Sequence, residues 1–254
     1  MALHPSLDEL LTQAPHSRDA ATARGMFAEA QQLARNAAEH GTLAADVCAW
    51  YASLTQALWS SAALAGAGTL TGPYARGEAV PGSIIDVLDR PEVGREVLGV
   101  EVQVVSGQPA LIDAGSAPTS SADLLTAALA KRPPRLRTVG FLPDRDALVD
   151  IYADLLTPIA DLARWGAGSE AGSIRGTDER LRTGALLNGD EADALLDAWN
   201  TALTLAMSQW LEHMPHRPTP LGGLSAMERT SYGAATRTVS AVIDSIAQRH
   251  KESR

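Results

Sequence analysis

Two blocks of helical periodicity enclose a central stretch that lacks it, and this switch of period is the strongest constraint on the fold. In the first block Met26, Leu33 and Ala37 recur at helical spacing, as do Val47, Trp50, Leu54 and Leu58. Apolar residues three and four apart mark one face of an α-helix. "EHGTLAAD" around Gly41 predicts a break between two helices. From residue 143 onward the pattern returns. Leu148, Ile151, Leu155, Ile159 and Leu162 form one stripe, and Leu195, Trp199, Leu203, Ala206 and Trp210 form a second. Tyr232, Ala235, Val239, Val242 and Ile246 form a third. Striped helices joined by short loops pack as antiparallel bundles.

Local signals refine the second block. Pro158 lies inside the first stripe and predicts a kink or interruption, because proline cannot supply a helical N–H. Thr177 is a candidate helix cap, with Asp178 and Glu179 suited to the positive helix end. "SAME" (225–228) has the capping-box pattern, Ser followed by Glu three residues later.

Between the blocks, Gly and Pro punctuate short β-branched runs. "SIIDVL" (83–88) and "VEVQVV" (100–105) predict strands, the second wet on one face because Val alternates with Glu and Gln. "PALID" (109–113) is expected to pair with it as a third strand across "SGQ". "TSSADLLTAALAK" (119–131) predicts a helix opened by Ser or Thr. "RTVGFL" (137–142) predicts a last extended piece. The chain therefore reads as α+β: a small mixed β-sheet flanked by helices and followed by an α-helical bundle. Its segments are 1–66, 67–142 and 143–254.

A chain of 254 residues with 45% hydrophobic residues has enough apolar surface for a sizeable core. The formal net charge of -9 repels nucleic-acid phosphates and anionic lipid, which argues against both as partners. The basic run "KRPPRLR", with Lys131, Arg132, Arg135 and Arg137, reads as a solvated connector. One cysteine, Cys48, excludes an intrachain disulfide and fits a reducing cytoplasm. Its place on an apolar helix face predicts a buried side chain. "MALHPSLDELL" has no signal-peptide pattern, and no apolar run is long enough to span a bilayer.

The chemistry concentrates in "GPYARGEAVPGSIIDVL" (72–88). This stretch resembles the signature of polymerase-β-like nucleotidyltransferases, Gly-Ser-x-Ala-Arg-Gly-Glu-x-x-Pro-Gly-Ser-Asp-x-Asp. Gly72, Ala75, Arg76, Gly77, Glu78, Pro81, Gly82, Ser83 and Asp86 keep its identities and spacing. "DLLTPIADLARW" (154–165), "TDERLR" (177–182) and "LSAMERT" (224–230) resemble the substrate-binding helical domain of a bacterial nucleotidyltransferase family related to the PII-protein uridylyltransferases. The resemblance implies nucleotidyl transfer, such as protein uridylylation or adenylylation, with Mg²⁺ and a nucleoside triphosphate. It implies Asp86 as catalytic residue and metal ligand, with Glu101 or Asp113 as a further acid. Gly72, Arg76, Glu78 and Ser83 become candidates for holding the nucleotide, and Arg164 and Arg180 for facing a substrate or a regulatory protein partner. The alternative is that Asp86 is a polar strand end, that Arg76 and Glu78 pair with each other or cap a helix, and that Arg164 and Arg180 form salt bridges with Asp161 or Glu179.

The chain departs from the signature at two places. Pro73 stands where the pattern has Ser, and proline offers neither an N–H nor a hydroxyl to a phosphate. Ile84 stands where the first Asp belongs. Residues two apart on a strand share a face, so Ile84 puts hydrocarbon beside the remaining carboxylate. Mg²⁺ is a hard ion that takes oxygen ligands in near-octahedral geometry. Three readings follow: a catalytically impaired member that binds a nucleotide or a protein, an active enzyme with rearranged ligands, and a helical interaction protein. His213 and His216 in "HMPH" are three apart but separated by Pro215, and read as surface histidines at a helix end. The five tryptophans lie on helical stripes and read as core.

Overall fold

A computed structural model describes residues 5–89, 96–136, 138–139, 142–213 and 217–252. The chain is predominantly helical with small β-ladders, a content compatible with α+β. It divides into two compact units, Met1–Pro118 and Thr119–Arg254. This division rests on contacts. The three segments drawn from residue pattern rest on composition.

The first unit opens with three helices: α1 (Pro5–Gln13), α2 (Ala20–Glu39) and α3 (Ala44–Trp59). Asp19 caps α2 by accepting from the Thr22 N–H at 2.9 Å. Val47, Trp50, Leu54 and Leu58 are buried on α3, as their spacing predicts. On α2 the buried face is instead Ala23, Phe27, Ala30 and Ala34, while Met26, Leu33 and Ala37 flank it half-buried. Alanine allows close helix approach but carries little hydrophobic signal, so larger neighbours drew the expected stripe one position aside. The Trp50 indole N–H donates to the Leu7 carbonyl at 3.0 Å, tying α3 to α1. Cys48 is fully buried, and burial, with the nearby Glu78 charge, pushes its thiol pKa up.

A short helix α4 (Gly72–Arg76) leads into β1 (Ile85–Val87). Then come β2 (Glu96–Val97), β3 (Val100–Val104) and α5 (Gln108–Asp113). The sheet is mixed, in the order β1-β3-β2. β1 runs parallel to β3 with Asp86 opposite Gln103, and β2 runs antiparallel to β3. On the other side of β1, residues 69–71 run antiparallel to it. The Thr71 N–H donates to the Asp86 carbonyl and the Leu88 N–H to the Thr69 carbonyl, both at 2.9 Å. The β2–β3 turn places Leu98 (φ 57°) and Gly99 (φ 81°) in the left-handed region. A leucine there is strained, and burial of its side chain opposes the strain.

Residues 109–113 are helical, not the expected third strand. Pro109 sits in the first turn, where a missing N–H costs nothing and the fixed φ suits a helix. Five residues are too few for periodicity to separate strand from helix. The antiparallel partner of β3 is β2, which precedes it.

The second unit begins with α6 (Ser121–Ala130), capped by the Ser120 hydroxyl accepting from the Asp123 N–H. Short ladders follow: β4 (Thr138–Val139) with β5 (Leu142–Pro143), and β6 (Leu148–Val149) with a later strand. Leu148 is therefore not on the helical stripe; it lies on β6, 65% exposed. A π-helical segment, Tyr152–Leu156, runs into α7 (Thr157–Gly166). Pro158 cannot donate the α-type bond to residue 154, and the turn before it widens to π. Next are α8 (Thr177–Thr183), α9 (Gly189–Leu211), β7 (Thr219–Pro220, paired with β6) and α10 (Ala226–Glu252). The residue capping α8 is Gly176; Thr177 is its first, buried helical residue. Asp178 and Glu179 occupy the first turn as expected.

Helices α9 and α10 are antiparallel, pinned at both ends by their capping boxes. Glu191 closes the box with Asn188 and also takes both Arg249 guanidinium nitrogens at 2.9 Å and the Ser245 hydroxyl. Burial opposes its ionisation, yet these donors hold its pKa below the usual carboxylate value. At the other end, Glu228 closes the box with Ser225 and accepts from the Ser208 hydroxyl at 2.6 Å. Tyr232, Ala235, Val239, Val242 and Ile246 are all buried on α10. The buried Tyr232 hydroxyl donates to Asp154 Oδ2 at 2.5 Å, and the Asp150 N–H donates to the same oxygen at 2.8 Å. Tyr232→Phe removes one of these two donors and is expected to lower stability by about 1–2 kcal/mol in urea unfolding. Unchanged stability would show that this bond does not anchor the π segment.

Candidate functional site

The motif residues gather on one side of the first unit, where α4, β1 and α5 meet. Gly72 opens α4 with φ 62°, in the region that favours glycine. A Cβ at this position would stand 2.6 Å from Asp86 Oδ2, so the absence of a side chain is what lets the carboxylate lie against the turn. Gly72→Ala is expected to cost about 1–3 kcal/mol through backbone strain and this clash. A thermal melt that matches the natural chain would show that the carboxylate moves aside freely.

Pro73 follows in the first turn of α4, which needs no N–H from it, and its carbonyl accepts from the Glu78 N–H at 3.0 Å. Tyr74 is buried, stacks at a tilt on Tyr51 with ring centroids 6.2 Å apart, and donates from its hydroxyl to the Ser83 carbonyl at 3.0 Å. These contacts hold the 78–83 loop against α3. The Ser83 hydroxyl itself is buried and has no hydrogen-bond partner among the described residues. Gln56 adds a side-chain bond to the Tyr74 carbonyl.

Beneath the turn lies a buried charge cluster. Arg76 is 8% exposed, its Nε donates to Glu78 Oε1, and its Nη1 donates to Asp113 Oδ2 at 2.5 Å. Glu78 and Asp113 are buried too. Burial works against the Arg76 charge, but the Asp113 and Glu78 carboxylates more than reverse this and push its pKa up. Asp86 is pushed up from 3.8 to about 6, first by burial and then by the Asp113 charge, with Arg76 pulling the other way.

This geometry decides what each residue is free to do. Arg76 and Glu78, expected to hold nucleotide, are engaged with each other and with Asp113. Asp113 reaches the cluster from helix α5, not from a strand. Glu101 lies in β3 opposite Glu96, two residues before the partner of Asp86, and its side chain lies outside what the structure describes. Ile84 is 56% exposed. The donor set does not fit a pair of divalent ions: Ile84, which lies before β1, supplies no oxygen, and Asp113 and Glu78 bind a guanidinium. Among the described residues no group of three acidic, His or Cys side chains is placed to hold a metal. Thr71 is a further member that no sequence signal marked; its buried hydroxyl donates to the Ala110 carbonyl at 2.5 Å and fixes α5 against the turn.

The remaining candidates lie elsewhere. In the second unit Arg164 is buried and paired with Asp161, and Arg180 is 1% exposed with its Nε donating to the Ile174 carbonyl at 2.8 Å. The basic run is tied back into its own unit. Lys131 reaches Asp161 Oδ2 at 2.6 Å, and Arg132 makes a two-pronged contact with Asp244. Arg135 is exposed, and Arg137 lies outside the described residues. His213 is exposed just after α9, with φ 57°, while His216 lies outside the described residues. Trp50, Trp165 and Trp199 are buried. No helix among the described residues is long and apolar enough to cross a membrane. No protein-family model, no curated protein and no solved structure matches the chain, so the chemistry of the site rests on its own geometry.

Proposed function

We propose that this chain is a catalytically impaired relative of the polymerase-β-like nucleotidyltransferases, acting by binding a nucleoside triphosphate or a regulatory protein. One observation carries the reading: Asp86 lies against the Gly72 turn with Ile84 exposed two residues before it and the Asp113 carboxylate engaged by Arg76. Nucleotidyl transfer needs clustered acidic oxygens to hold the ions that neutralise the phosphates. The Ser83 hydroxyl, buried with no hydrogen-bond partner among the described residues, is the polar group best placed to take a ligand. A single cysteine, with no intrachain disulfide possible, favours a reducing cytoplasm as its place of action.

Calorimetry with UTP, ATP, CTP and GTP, with and without Mg²⁺ or Mn²⁺, tests this. The expected result is nucleotide binding that metal changes little, with no turnover. Robust metal-dependent turnover overturns the loss of activity. No binding of any nucleotide leaves the protein-binding half of the reading, which a stable partner or self-association in light scattering then supports. Replacing Pro73→Ser and Ile84→Asp together restores the missing hydroxyl and carboxylate, and is expected to confer Mn²⁺-dependent nucleotide binding. A double variant that binds nothing new would remove the family relation as an explanation of this site.

A further inference from the structure

We draw no further inference here: the strongest candidate, the carboxylate cluster of Asp86, Asp113 and Glu78 around Arg76 beneath the Gly72 turn, belongs to the site already described.

Discussion

Arg76→Met is expected to destabilise the chain by about 3–5 kcal/mol, the cost of leaving buried carboxylates without their cation. Arg76 holds Glu78 from the loop after its own helix and Asp113 from α5, and Asp86 feels its charge as well. Methionine fills much of the volume but supplies no positive charge. Domains are commonly stable by only about 5–15 kcal/mol, so the loss would take a large share of the total. Urea unfolding of Arg76→Met and of the double variant Arg76→Met/Asp113→Asn measures it. The double variant should recover part of the loss, because one of the stranded charges is gone. Arg76→Met should also fare better near pH 5 than at pH 8, since Asp86, already raised to about 6 and no longer held down by Arg76, carries its proton at the lower pH. A single variant within about 1 kcal/mol of the natural chain would show that the cluster is solvated and not a buried ionic junction.

Asp86→Asn should do the opposite and stabilise the chain at neutral pH. The folded-state pKa of Asp86 is raised from 3.8 to about 6. A raised value means that the folded chain holds the proton more tightly than the unfolded chain. The stability contribution is therefore complete below about pH 4 and is lost as pH rises through about 6. A shift of this size corresponds to at most roughly 3 kcal/mol. Partial exposure of the carboxylate to water reduces that to about 1–2 kcal/mol. Asparagine keeps the shape and carries no charge. Its stability should match the natural chain near pH 4, exceed it at pH 7–8, and vary less between those limits. Unfolding midpoints measured across this range decide the matter, and parallel curves would mean that Asp86 titrates as an ordinary exposed carboxylate.

The two substitutions are coupled. Removing Arg76 takes away the one influence that lowers the Asp86 pKa, so the pH dependence of Arg76→Met should steepen. Adding Asp86→Asn to Arg76→Met should flatten it again. Residues that share a charge network are not additive, and the size of the departure measures how closely Asp86 belongs to the cluster.

Much of the helical framework was legible because period is a local property. Large apolar residues at helical spacing located the buried faces of α3, α9 and α10, and Ser225 with Glu228 marked the start of α10 by its capping chemistry. Period misleads where residue size does, as on the alanine-packed face of α2, and where short segments carry no decisive period. Leu148 continues a helical stripe by spacing yet lies exposed on a strand, because spacing alone does not reveal that the helix begins after Asp150. The same weakness made residues 109–113 a strand, and only the packing of α5 brought Asp113 to Arg76 from a helix.

By itself the sequence determined the helix-rich character, the strand bearing Asp86, and the presence of an apolar Ile84 two positions before it. Those are properties of composition, period and spacing along neighbouring residues. Only the tertiary structure decided how the charges at the motif are used. Arg76, Glu78, Asp86 and Asp113 lie up to thirty-seven positions apart, and whether a buried ion serves a ligand or a neighbour depends on which distant side chain folding places within reach.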